Sequence, residues 1–199
     1  MPPVNSAEYL QALKEKVAVV RSKAGFFLNE TPPDLLQEPP LPGKWSALQC
    51  LEHLNSYGRF YLPALEKAIR QAEQRGKAAK PMFKSSWLGA WFTKLMEPKE
   101  DGTVPSKMKS PKDHVPHVRL DAVKVITEFI AQQNEMEALL TRAEKINIQE
   151  VKVATSLSKY LKLSVGDTFG FLVAHIRRHV LQAENAIRAQ VSSYESAGR

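Results

Sequence analysis

The run Ser164-Val165-Gly166-Asp167-Thr168-Phe169-Gly170-Phe171-Leu172-Val173-Ala174-His175-Ile176-Arg177-Arg178-His179-Val180-Leu181-Gln182 reads as a capped helix with two histidines set into its inner seam. Ser164 is a capping residue, and Asp167 puts negative charge near the positive end of the helix. Phe169, Leu172, Ile176, Val180 and Ala183 carry the apolar pattern on to about Ile187. Thr168, Leu172, His175, His179 and Gln182 step by four, three, four and three, which places them on one face. A buried imidazole left with an unpaired nitrogen costs about 1–3 kcal/mol. Two in succession therefore need partners. A metal ion is one solution and hydrogen bonds inside a core are another, and the spacing alone does not choose between them.

Three further segments carry the same 3.6-residue period. From about Ser6 to Leu28, the residues Leu10, Leu13, Val17, Val20, Ala24 and Phe27 form one apolar seam, with Asn5 as cap and Glu8 three residues on. At ~1.5 Å per residue this helix is about 34 Å long, the height of a bundle. The next starts at Ser46, where Ser46-Ala47-Leu48-Gln49 forms a capping box and Trp45 is placed to staple against Cys50. It runs through Leu48, Leu51, Leu62, Leu65 and Ile69 to about Gln74, and Gly76 closes it. A third spans about Leu120 to Lys145, with Val123, Ile126, Ile130, Met136, Leu139 and Leu140 inward. Strand signals are weak, and the alternation at Val151-Lys152-Val153-Ala154 is too brief to assign. The expected architecture is an all-α four-helix bundle in one domain over residues 1–199.

The connections differ in kind. Pro32, Pro33, Pro39, Pro40 and Pro42 keep the first irregular. The second is about 45 residues long, far more than an antiparallel hairpin needs, and so permits a crossover that leaves its two helices parallel. Within it, Ser85 to Met96 reads as a short amphipathic helix whose Trp87, Leu88, Trp91, Phe92 and Leu95 would cover one opening of the bundle or pair two copies as a homodimer. Nine Lys or Arg between Arg75 and Lys112 face only Glu97, Glu100 and Asp101 in that stretch, and they contribute to the net charge of +7. They follow no helical period and accompany no nucleic-acid motif, so a solvated loop is expected rather than a nucleic-acid surface.

His53 lies two turns inside the second helix, on the side of Cys50, Tyr57, Phe60 and Tyr61. It therefore also faces inward. Three inward histidines on two helices, His53, His175 and His179, make the protein half of a three-nitrogen metal site with a fourth position open. His114 and His117, three apart in a Pro-bounded loop, are rival ligands whose simpler reading is exposed loop residues. Tyr57 and Gln182 are near enough by helical spacing to flank such a site. Glu52 turns about 100° away from His53 and is not expected as a ligand.

Of the 199 residues 43% are hydrophobic, enough for a buried core. Cys50 is the one cysteine, so no internal disulfide forms and a reducing, cytoplasmic setting is expected. No basic patch followed by an apolar run opens the chain, and no eighteen-residue apolar stretch occurs, so neither a signal peptide nor a membrane span is expected.

Trp45-Ser46 followed by Glu52-His53-Leu54, together with His175-Ile176-Arg177-Arg178-His179-Val180-Leu181-Gln182, resembles the paired motifs of the DinB/YfiT-like family of metal-dependent proteins. The resemblance covers roughly Leu10 to Ile187. It implies a four-helix bundle in up-down-down-up order, with the family's metal triad mapping onto His53, His175 and His179. It also implies a divalent ion (zinc, nickel or iron) that activates water or a thiol on a small-molecule substrate. The chemistry would be that of a hydrolase or of a transferase using a low-molecular-weight thiol of the glutathione or bacillithiol type. The alternative is a stress-related bundle that binds metal or ligand without turnover.

Overall fold

The computed structural model describes residues 2–99, 110–156 and 158–197. In chain order the elements are β1 (Val4–Asn5), α1 (Ser6–Glu30), α2 (Pro33–Gln37), α3 (Ala47–Gln74), β2 (Met82–Phe83), α4 (Trp87–Met96), α5 (Ala122–Ala143), β3 (Lys152–Thr155), β4 (Ser158–Ser164) and α6 (Val165–Ala197). A single turn of 3-10 helix, Lys112–His114, precedes α5.

Local chemistry accounts for where the long helices begin. The Asn5 side chain accepts from the backbone N–H groups of Ala7 and Glu8, and Ser46 and Gln49 close a complete capping box. Asp121 caps α5, and the Ser164 hydroxyl accepts from the Asp167 N–H at 3.0 Å. All six seam residues of α1, Leu10 to Phe27, are buried. Leu10, Leu13, Val17, Val20 and Phe27 each contribute roughly 1.5–3 kcal/mol by leaving water.

Four lateral contacts join the long helices, α1 to α5, α5 to α3, α3 to α6 and α6 to α1. Their directions follow from the bridging side chains. Lys14 meets Glu144 at 2.6 Å while Arg21 meets Asn134 at 2.8 Å, so α1 and α5 are antiparallel. Asn55 donates to the Val125 carbonyl at 2.9 Å and Arg142 pairs with Glu73 at 2.7 Å, so α3 and α5 are parallel. Tyr61 packs on Phe171 and His53 on His179, which makes α3 and α6 antiparallel. Tyr9 donates to the Gly166 carbonyl at 3.0 Å and Lys23 pairs with Glu184 at 2.8 Å, which makes α1 and α6 parallel. The order is up-down-down-up.

Parallel neighbours oblige the chain to climb back between them, and α4 makes part of that climb along α6. Its first turn is pinned where the Ser85 and Ser86 hydroxyls donate to the buried Asp167 carboxylate, the second at 2.8 Å. Its last turn is held where Arg178 donates to the Leu95 carbonyl at 3.2 Å. The segment from Ser110 to His114 then passes over the His53 region of α3 before α5 descends.

Several expectations need correction. The unassigned alternation at Val151–Ala154 falls on a strand from its second residue: β3 (Lys152–Thr155) pairs antiparallel with β4, with Val153 opposite Leu163, both buried. A second small ladder sets Val4 opposite Phe83. β1 and β2 are two residues long and β3 four, too short for a local signal to mark them; the distant partner makes each strand. Val123 is 64% exposed rather than inward. The helix α2 lies in the Pro-rich connection, and α6 runs ten residues beyond Ile187. Glu100, Asp101, Lys107 and Lys109 of the basic stretch lie outside the described residues. Among the described residues, no helix is long and apolar enough to cross a membrane.

Candidate metal centre

Antiparallel packing of α3 on α6 brings His53 against the pair His175 and His179. The ring centroids lie 5.1 Å apart for His53 and His175, 4.6 Å for His53 and His179, and 4.7 Å for His175 and His179. One ligand nitrogen from each falls within 4.8 Å of the others, and Nε2 of His53 is 3.2 Å from Nε2 of His175. Two nitrogens at ~2.0–2.1 Å from one tetrahedral ion stand about 3.3 Å apart, and the pair from His53 and His175 already has that spacing. His53 and His175 are each 3% exposed, while His179 is half-buried at the opening of a cavity of about 440 Å³.

Two of the rings are oriented through their other nitrogen. His53 donates from Nδ1 to the carbonyl oxygen of His114 at 2.8 Å, and His179 from Nδ1 to Oε1 of Gln182 at 3.1 Å. In both, Nε2 is left with its lone pair. Second contacts of this kind are what fix the tautomer of a ligating histidine. Burial is the main reason the rings stay neutral: it brings His53 down to about 4 and His179 to about 3, and holds His175 well below the usual imidazole range. The neighbouring rings and the Arg178 guanidinium add to the effect on His175 and His179. Neutral imidazole is the form that ligates metal.

The walls are aromatic and basic. Trp45, expected as a staple at the start of α3, lies over the site, 4.9 Å from the ring of His53 and 5.9 Å from that of His179. Tyr57 packs on His175 at 4.5 Å, and burial raises its phenol to about 12, so it stays protonated. Lys44 and the buried Arg178 also line the cavity. Gln182 holds His179 as described. Glu52 is engaged by Arg59 at 2.9 Å and turns away from the centre.

The rival histidines take different places. His117 is exposed. His114 is half-buried rather than exposed, with Nδ1 2.8 Å from the Ser56 hydroxyl and its ring 4.0 Å from that of Tyr57. Its main-chain carbonyl takes the hydrogen bond from His53, while its ring stands edge-on to that of His53 at 6.4 Å. Neither belongs to the converging set, which among the described residues comprises three histidines. Sequence reasoning missed the carbonyl of His114 and the neighbouring hydroxyl of Ser110, 3.4 Å from Nδ1 of His53. A main-chain acceptor supplied by a loop has no residue-type signature.

Comparison with known proteins identifies the family and the fold. Residues 19–183 match the family model described as the DinB superfamily. No protein of curated function matches the chain. Among solved structures, YfiT from Bacillus subtilis, described as a probable metal-dependent hydrolase with an unusual four-helix bundle topology, is similar with a TM-score of 0.52 at 14% identity. The match covers 92% of this chain and 86% of that one. At that identity the likeness concerns the fold.

Proposed function

This chain belongs to the DinB superfamily, and from that premise we propose that it is a metal-dependent enzyme whose His53, His175 and His179 hold one divalent ion of zinc, nickel or iron. The observation that carries the reading is the convergence of three imidazole nitrogens at the wall of a 440 Å³ cavity, with no fourth side chain in the set among the described residues. Such an ion, when bound, lowers the pKa of a water or thiol and so supplies a nucleophile at neutral pH. His53 and His179 present preset lone pairs to it. Trp45 and Tyr57 offer an apolar face to a small-molecule substrate, and Arg178 and Lys44 favour one that carries a carboxylate.

Hydrolysis and transfer of a low-molecular-weight thiol, of the glutathione or bacillithiol type, both suit this arrangement. The description of YfiT as a probable metal-dependent hydrolase supports the first. The basic wall supports the second, since such thiols carry carboxylates. A cytoplasmic setting is part of the proposal and rests on the unpaired Cys50. The test is metal analysis of protein purified without a histidine tag, followed by hydrolase and thiol-transfer assays of the loaded form. His175→Ala retaining full metal occupancy would overturn the reading. Metal without turnover in either assay would leave a binding protein in its place.

A further inference from the structure

Among the described residues three tyrosines pack in the core, Tyr57 and Tyr61 buried and Tyr9 partly so. A buried phenol ordinarily finds a hydrogen-bond partner for its hydroxyl. Tyr9 donates to the Gly166 carbonyl at 3.0 Å. Tyr61 accepts from the Ser156 N–H at 3.0 Å and meets the Ser156 hydroxyl at 3.2 Å. Tyr57 differs: among the described residues its hydroxyl forms no hydrogen bond. Nor is it sealed off, since the buried polar atoms left without a partner there belong to Ser6, Gln37, Asn55 and Gln133. It opens to a space.

Tyr57 lines two spaces. One, of about 10 Å³, lies toward α5 and has room for a single water. The other is the cavity of about 440 Å³ at the three histidines. Tyr57 follows His53 by one helical turn, and side chains on a helix lean toward its start, which here means toward that cavity. Its ring packs against those of His53 at 5.0 Å, His175 at 4.5 Å and His114 at 4.0 Å. Ring contacts therefore hold the phenol in place and leave its O–H unspent. At neutral pH that group is a donor without charge. Lys44 and Arg178 line the same cavity and suit a carboxylate, whereas a neutral donor suits a neutral oxygen.

We infer that Tyr57 is a substrate-binding residue whose hydroxyl donates a hydrogen bond to a carbonyl oxygen of the substrate, beside the three histidines. The inference rests on the metal reading and narrows its substrate to a carbonyl compound. As a nucleophile adds to the carbonyl carbon, the π pair of the C=O bond moves onto that oxygen. The Tyr57 O–H then faces growing negative charge, and its hydrogen bond strengthens.

The experiment compares wild type with Tyr57→Phe, which keeps the ring and removes the hydroxyl. Acetohydroxamate, a small carbonyl compound that binds metal ions, is the probe, titrated by calorimetry into each zinc-loaded protein. The variant should take up zinc and melt as the wild type does, because the hydroxyl bonds nothing in the protein. It should bind the probe about tenfold more weakly. A crystal structure of the wild type with zinc and probe should place the Tyr57 Oη about 3 Å from a probe oxygen, which covers a variant that does not fold. Equal affinity for the probe would overturn the inference. So would a hydroxyl bonded to a water in the smaller space, or a metal-free variant that melts lower. Zinc uptake with equal probe affinity would sink this inference and leave the metal reading standing; wild type that takes up no zinc would sink both.

Discussion

Nδ1 of His53 on α3 stands 2.8 Å from the carbonyl oxygen of His114, 61 residues further along the chain. A residue that resembles a candidate ligand thus acts through its main chain. Up-down-down-up topology is the cause. Because α3 and α5 run parallel, the returning crossover must pass the start of α3, and it delivers a backbone acceptor to the buried ring there. The bundle order and the tautomer of His53 are two consequences of one connection.

Substitutions at the two kinds of histidine should therefore part company. His114→Ala keeps the carbonyl and should hold zinc within about threefold of wild type. His53→Ala, His175→Ala and His179→Ala each leave two imidazoles and should lose far more, by comparable amounts. Titration with a competing chelator dye reads both. In wild type, a hundredfold excess of metal over its dissociation constant should add about 2.7 kcal/mol to stability, and a chelator should reverse it.

Acid should destabilise the metal-free protein over a defined window. In the unfolded chain the histidines titrate near about 6.5. In the native state burial lowers His53 to about 4 and His179 to about 3. Between these values the unfolded chain binds more protons, so stability falls as pH falls. The contribution is complete above about pH 6.5 and gone below the native values; for His53 alone it amounts to about 3 kcal/mol. Urea midpoints in the presence of chelator should drop between about pH 7 and pH 4, and His53→Phe should flatten the slope. An unchanged midpoint would contradict the neutral buried cluster.

The same substitution at two helical glycines should have opposite signs. A Cβ at Gly89 would strike the side chain of Asp167, which the hydroxyls of Ser85 and Ser86 hold in place. Gly89→Ala should cost about 1–3 kcal/mol by forcing α4 off α6. Gly25 in α1 has nothing within 4 Å of an added Cβ. Gly25→Ala should stabilise by up to about 1 kcal/mol through helix propensity. Thermal melts of the two variants decide it.

Association of two copies is expected through α4, where Trp87 is 79% and Trp91 51% exposed. Sedimentation at micromolar concentration should show a species of twice the 22.3 kDa chain mass, lost on Trp87→Ser with Trp91→Ser. A monomer at every concentration would end the idea.

The amino-acid sequence alone determined whatever repeats or sits locally. The buried seam of α1 is the one its three-and-four spacing marks, residue for residue, and Asn5, Ser46 and Ser164 all cap as their positions require. The inward placement of His53 and His175 was legible for the same reason, since a helix repeats its faces every 3.6 residues and a seam declares its side. What the tertiary structure decided is set by partners far away in the chain. The β3–β4 pairing, the turn of Trp45 onto two histidines and the half-buried seat of His114 depend on groups that no local period encodes. So does Gln133, a polar side chain within an apolar core. A hydrogen bond has a direction and a reach of about 3 Å, so only the packed arrangement of α3, α5, α6 and the crossover could assign each imidazole its partner.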